Sequence, residues 1–232
     1  LVVENGRITQ LGDAEPLVDE LDISVRIHEY AGKIICPGFV DTHVHYPQLA
    51  IIASYGESLL DWLECYAFDE EMKFDDADHS LKTANHFLDE LLRCGTTTAQ
   101  VFGTVHPESV EGFFTAAEKR DLRMICGKVL MDRNGPIGLL DTPETSYIDS
   151  KNLIERWHGR GRLRYAVSPR FAPTSTQEQL NAASQLLLEY PGIHLHTHLS
   201  ENKEEIDWVN SLFPNCKSYL NVYEQAGLLG RR

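Results

Sequence analysis

Two histidines separated by one residue, His43 and His45, close an apolar stretch that begins near Ile34. Side chains two apart on a strand point the same way, so the pair could share one metal ion. In a wet loop the same spacing would mean only two solvated imidazoles. Further on, His194-Leu195-His196-Thr197-His198 sets three histidines on one strand face, with only His198 at the rim. His194 and His196 are expected to pack deeper or to be hydrogen-bonded. Glu201 follows, either as an exposed acid favoured by the dipole of a helix starting near Lys203 or as a proton shuttle beside a metal. Arg170 and Phe171 end another apolar run, where a surface cation beside a core aromatic competes with a role in a site. Three imidazoles with an open position suit Zn²⁺, which prefers N and S ligands and keeps a place for water when catalytic.

These residues need elements to hold them. From Ile34 onward strand-like and helix-like segments alternate, which predicts βαβ units and a parallel sheet. The first strand runs from Ile34 to His45 and, being mostly apolar, is expected to be buried on both faces. Leu81, Ala84, Leu88, Leu91 and Leu92 fall at helical spacing within Ser80 to Arg93, and Gly95 is placed to end that helix. Strands are then predicted at Thr96 to Phe102, Arg123 to Met131, Leu163 to Phe171 and His194 to Leu199. Helices are predicted at Pro107 to Lys119, Glu144 to Trp157, Thr176 to Glu189 and Lys203 to Leu212. Each candidate residue sits where a strand ends, the position that carries function in barrel enzymes.

Before Ile34, Leu1-Val2-Val3-Glu4 and Ile8-Thr9-Gln10-Leu11 flank Asn5-Gly6, a two-residue hairpin signal. Residues 1–33 are therefore expected to form a small β-rich piece and residues 34–232 the α/β domain. Trp62, Trp157 and Trp208 lie in helical patterns and are expected in packing rather than in a site. The acidic run Asp69-Glu70-Glu71 with Asp75-Asp76 reads as a solvated segment.

The composition narrows the function. The 232 residues are 42% hydrophobic and carry a net charge of −14, so a sizeable core is available and a nucleic-acid partner is disfavoured by repulsion. No apolar run approaches the length of a membrane span and no secretory leader is evident, so no membrane association is expected. Cys36, Cys65, Cys94, Cys126 and Cys216 lack Cys-x-x-Cys spacing, which predicts reduced, buried thiols in a cytoplasmic protein.

Pro37-Gly38-Phe39-Val40-Asp41-Thr42-His43-Val44-His45 resembles the first-strand signature of the amidohydrolase superfamily, metal-dependent hydrolases built on a (β/α)8 TIM-type barrel. Tyr46-Pro47-Gln48 and Tyr55 to Leu63, then Ser168-Pro169-Arg170-Phe171 and His196 to Asn202, are similar to the guanine deaminases within it. The resemblance implies one Zn²⁺ per subunit held by His43, His45 and His198, Glu201 as the catalytic proton shuttle, and a homodimer. It implies a purine substrate, guanine, with Arg170 donating to its carbonyl, Phe171 stacking on the ring and Gln48 reading the purine edge. Residues 1–33 would be part of the β-sandwich that flanks such barrels.

Only about the first five β/α units are present, and the first residue is Leu; both lead to the expectation of a longer protein. The family also draws a histidine from strand six and an aspartate from strand eight, and both fall beyond Arg232. A doubly wound five-stranded sheet is the competing architecture, although no Gly-rich phosphate loop follows the first strand. Lys128 could suggest the bridging lysine of two-metal relatives, but it falls in strand three, so one metal is expected. Two other functions remain open: an amidohydrolase acting on another amino- or chloro-substituted heterocycle, and a non-catalytic half-barrel interaction module.

Overall fold

The computed structural model describes residues 1–230; Arg231 and Arg232, at the end of the segment read as preceding strand six, lie outside the described residues. The chain forms two compact units, Leu1–Pro37 and the one from Gly38 onward.

In the first unit β1 (Val2–Glu4) pairs antiparallel with β2 (Arg7–Gln10), followed by the short helix α1 (Ala14–Asp19). Asn5 and Gly6 both have positive φ, 51° and 74°. Such a two-residue turn matches the twist of its strands.

The second unit opens with β3 (Phe39–His45), a 3₁₀ turn at Tyr46–Ile51, and the short helices α2 (Leu59–Trp62) and α3 (Phe68–Glu71) joined by a π turn. Then come α4 (Ala77–Arg93), β4 (Thr96–Phe102), α5 (Pro107–Lys119), β5 (Arg123–Gly127), β6 (Val129–Leu130) and α6 (Pro143–Trp157). The series ends with β7 (Arg164–Pro169), α7 (Gln177–Glu189), β8 (His194–Leu195), α8 (Lys203–Leu212) and α9 (Tyr219–Gln225). β5 and β6 are two parts of one strand, since both pair in parallel with β7 at a constant offset. Between them the Lys128 N–H leaves the ladder and donates to the Tyr165 hydroxyl at 3.2 Å.

Every strand pair in this sheet is parallel, and the order β3, β4, β5/β6, β7, β8 follows the chain. A doubly wound sheet reverses its order at a switch point. This one never does, so the architecture is a partial TIM-type barrel of five β/α units. Local sequence explains the helix ends. Asp76 Oδ1 accepts from the N–H groups of Asp78 and His79 to start α4, and Gly95, at φ +84°, turns the chain out of it. Thr142 with Thr145, and Asn202 with Glu205, form reciprocal caps for α6 and α8. The larger core lies between the sheet and helices α4 to α7; a second cluster, including Phe102, Val129, Met131 and Phe171, lies toward the strand ends.

Several expectations need correction. Strand one begins at Phe39 rather than Ile34, and Phe39 and Val40 are 62% and 64% exposed rather than buried. Among the described residues β3 is an edge strand that pairs only with β4. The expected burial of the cysteines holds only for Cys126, on β5; all five are free, but Cys36, Cys65 and Cys94 are exposed. Glu70 and Glu71 belong to the interior rather than to a solvated run. Among the described residues no helix is long and apolar enough to cross a membrane.

Candidate metal centre

The C-terminal ends of β3, β7 and β8 converge. His43 and His45 leave β3 on the same face, and the chain beyond β8 continues the ladder through His196 N–H to Val167 O at 2.9 Å and His198 N–H to Arg170 O at 3.2 Å. This brings His198 Nε2 to 3.0 Å from the Nε2 atoms of both His43 and His45. The three ligand atoms lie within 4.8 Å of one another.

The ring states suit a cation. His198 Nδ1 lies 2.6 Å from Arg170 O, and a carbonyl only accepts, so Nδ1 carries the proton and Nε2 keeps its lone pair. That one lone pair can accept from one of the two facing ring nitrogens, so hydrogen bonding accounts for one contact and not for the convergence of all three. A metal explains it, because tetrahedral ligands at about 2.0–2.1 Å put nitrogens about 3.3 Å apart. Burial lowers the pKa of all three rings, to about 4 for His198 and well below 6.5 for His45, while for His43 the Asp41 carboxylate opposes the effect. The three rings therefore stay neutral at pH 7, as metal ligands must be.

The rings rest on Phe102, at the end of β4, which stacks on His45 at 4.5 Å between centroids and on His198 at 4.8 Å. His196 is buried and its Nε2 lies 3.0 Å from His43 Nδ1, as expected of a supporting histidine. His194 departs from that expectation: it is exposed. From α9, Tyr223 donates its hydroxyl to His198 O at 2.8 Å.

A cavity of about 320 Å³ opens over the tripod, and His43, His45, Gln48, Arg170, Phe171, His198 and Glu201 all line it. Every sequence-predicted site residue is thus in one place. Glu201 enters after Ser200, whose φ of 56° turns the chain sharply. Its N–H and that of Asn202 both donate to Glu205 Oε2, at 2.9 and 3.1 Å, and the buried Glu205 also accepts from the Tyr219 hydroxyl. Burial raises the Glu201 pKa and Glu205 adds to the rise, against an opposing effect of Arg170. A carboxyl so placed holds a proton to higher pH than a free one.

Three features escaped the sequence. Trp62 lines the cavity with Leu59 and Leu63 instead of packing away from it, whereas Trp157 is buried in the core as expected. Phe102 carried no signal beyond its place at a strand end. Glu71 is 1% exposed and accepts from Arg170 Nη1 and Nη2 at 2.5 and 3.0 Å and from Gln48 Nε2 at 3.0 Å. Lys128, fully buried, pairs its Nζ with Asp141 and is not part of the histidine cluster.

The Amidohydrolase family model matches residues 34–231. The guanine deaminase of Escherichia coli (strain K12) is 51% identical over 231 residues, which cover 100% of this chain and 53% of that protein. A solved structure of E. coli guanine deaminase superposes with a TM-score of 0.97 at 51% identity over 100% of this chain and 54% of its own. A guanine deaminase from C. acetobutylicum, solved with guanine in its active site, gives 0.81 at 32% identity over 84% of this chain and 47% of its own. The chain therefore spans about half the length of the relatives it matches. A sequential parallel half-barrel with a histidine tripod at its strand ends, matched by the family model over most of its length, places the chain in the amidohydrolase family.

Proposed function

We propose that this chain carries the metal-binding and substrate-reading half of a zinc-dependent guanine deaminase, which converts guanine and water to xanthine and ammonia. The observation that carries the reading is the single cavity lined by the His43, His45, His198 tripod, Glu201, Arg170, Gln48 and Phe171. One Zn²⁺ per subunit would be held by the three Nε2 atoms. When bound it supplies Lewis acidity, which lowers the pKa of a water from about 15.7 to near 7.

The residues divide the remaining work. Arg170 donates to the purine carbonyl and Gln48 meets a neighbouring edge of the ring. Phe171, buried beneath the cavity, supplies an apolar face for the heterocycle. Glu201 gives a proton to a ring nitrogen, which makes the attacked carbon electrophilic; of the two protons of the attacking water, one then passes through its carboxylate to the departing amine and the other restores its carboxyl. Its raised pKa favours the proton-donating form that this sequence of transfers begins with. Adenine carries an amino group where guanine carries its carbonyl, so it would leave the buried Arg170 donor unpaired. The enzyme acts as a homodimer in the cytoplasm; the family resemblance supports the first and five free cysteines the second.

A substrate panel tests this reading in the polypeptide extended to its relatives' length. Turnover of guanine with little or none of adenine, 2-aminopurine or chloro-triazines supports it. Preference for a heterocycle without a carbonyl would reassign the substrate.

A further inference from the structure

Glu71 touches both of the hydrogen-bonding residues assigned to substrate recognition, Arg170 and Gln48, without lining the cavity itself. It comes from the end of α3, 99 positions before Arg170 in the sequence, and grips that guanidinium with both oxygens in a fork. Such paired contacts fix the plane of an arginine as well as its charge. Oε1 is shared with Gln48 Nε2. A carboxylate in this pair only accepts, so Gln48 must turn its NH₂ group toward Glu71. Its carbonyl Oε1 is thereby the acceptor it has left to offer. Arg170 is 2% exposed and also lies over the Phe68 ring at 5.5 Å, so few other orientations are open to it.

We propose that Glu71 is a positioning residue that sets the donor and acceptor order of the substrate site. It fixes the plane in which Arg170, always a donor, presents its N–H groups and turns Gln48 to present its acceptor, so the pair together selects heterocycles presenting a carbonyl with a ring N–H. This rests on the reading of Arg170 and Gln48 as substrate contacts. A negative charge alone would balance Arg170; the second bond, to Gln48, is what gives Glu71 a say in specificity.

The test compares Glu71→Gln and Glu71→Asp with the unmodified, zinc-loaded protein at relatives' length. Glu71→Gln should keep its zinc, lose about tenfold or more in kcat/KM for guanine mainly through KM, and discriminate less against 2,6-diaminopurine. Unchanged KM and unchanged discrimination would overturn the proposal. Glu71→Asp keeps the charge but shortens the reach, and the same loss is expected there. Full recovery with Asp would reduce Glu71 to charge balance and overturn its positioning role.

A second readout needs no turnover. The Arg170 guanidinium protons, followed by ¹⁵N NMR, should exchange slowly in the unmodified protein and fast in Glu71→Gln. Equal protection in both would overturn the clamp. If the unmodified protein leaves guanine untouched while the Arg170 signals still respond to Glu71→Gln, the clamp is supported and the substrate reading falls. Should Glu71→Gln fail to fold, both readouts on Glu71→Asp decide.

Discussion

The backbone carbonyl of Arg170 accepts the Nδ1 proton of His198 at 2.6 Å. One residue therefore serves two parts of the site: its side chain faces the cavity, and its main chain orients a ring of the tripod. The pairing of β7 with β8 sets this relationship, because it fixes the end of the fourth strand against the continuation of the fifth. Metal and substrate positions are coupled through backbone, which side-chain substitution at Arg170 leaves intact.

Arg170→Ala is expected to abolish most guanine turnover while leaving zinc binding in place. It should also destabilise the fold by about 3–5 kcal/mol, because Glu71 is left buried without its partner. Replacing both residues by leucine should recover much of the stability and none of the turnover. Urea denaturation and a guanine assay on the two variants check the two halves of this expectation separately.

Glu201→Gln keeps the shape of the side chain and removes its titration. We expect kcat to fall roughly 10²–10⁴-fold with the zinc content unchanged. Loss of zinc in this variant would show Glu201 to be part of the metal site instead.

Stability should fall with acid partly through His158, which lies away from the tripod. Its Nδ1 accepts the Tyr165 N–H at 3.1 Å, a bond that protonation breaks. Burial lowers its pKa below 6.5, with Arg164 and His194 adding to the effect. The unfolded chain thus binds the proton more readily, so the contribution is complete above pH 6.5 and is lost as pH falls through the folded value. Urea midpoints of the metal-free protein between pH 7.5 and 5 should decline, and His158→Asn, which retains an acceptor but cannot be protonated, should decline less.

Gly127 marks a close approach of β5 to β7. A Cβ there would lie 1.6 Å from Ala166 O, and neither strand can retreat from a packed sheet. Gly127→Ala should cost about 3 kcal/mol, read by the same urea method; a cost near zero would mean that the two strands are not held at this distance.

Much of the site was legible because strands impose a period of two and barrels put function at strand ends. Those two rules put His43, His45 and His198 at strand ends; the resemblance to the amidohydrolases is what joined His43 to His198, 155 positions apart, in one site with Glu201. Helical patterning likewise gave α5 and α8, whose bounds match expectation residue for residue. What remained hidden depends on partners distant in sequence. Glu71 looks solvated within an acidic run, and only the folded chain supplies Arg170 to draw it inside. Phe39 and Val40 read as buried, yet among the described residues their strand lies at the sheet's edge and pairs only with β4. Lys128 could be assigned to a strand but not to Asp141, its partner on a later loop.

The most direct measurement of the central claim is ammonia release from guanine by the protein at relatives' length, stripped with a chelator and then titrated with zinc. No release is expected from the stripped protein, with recovery that saturates at one zinc per chain and no recovery in His198→Ala. Undiminished release after stripping, or full recovery in His198→Ala, would contradict the claim.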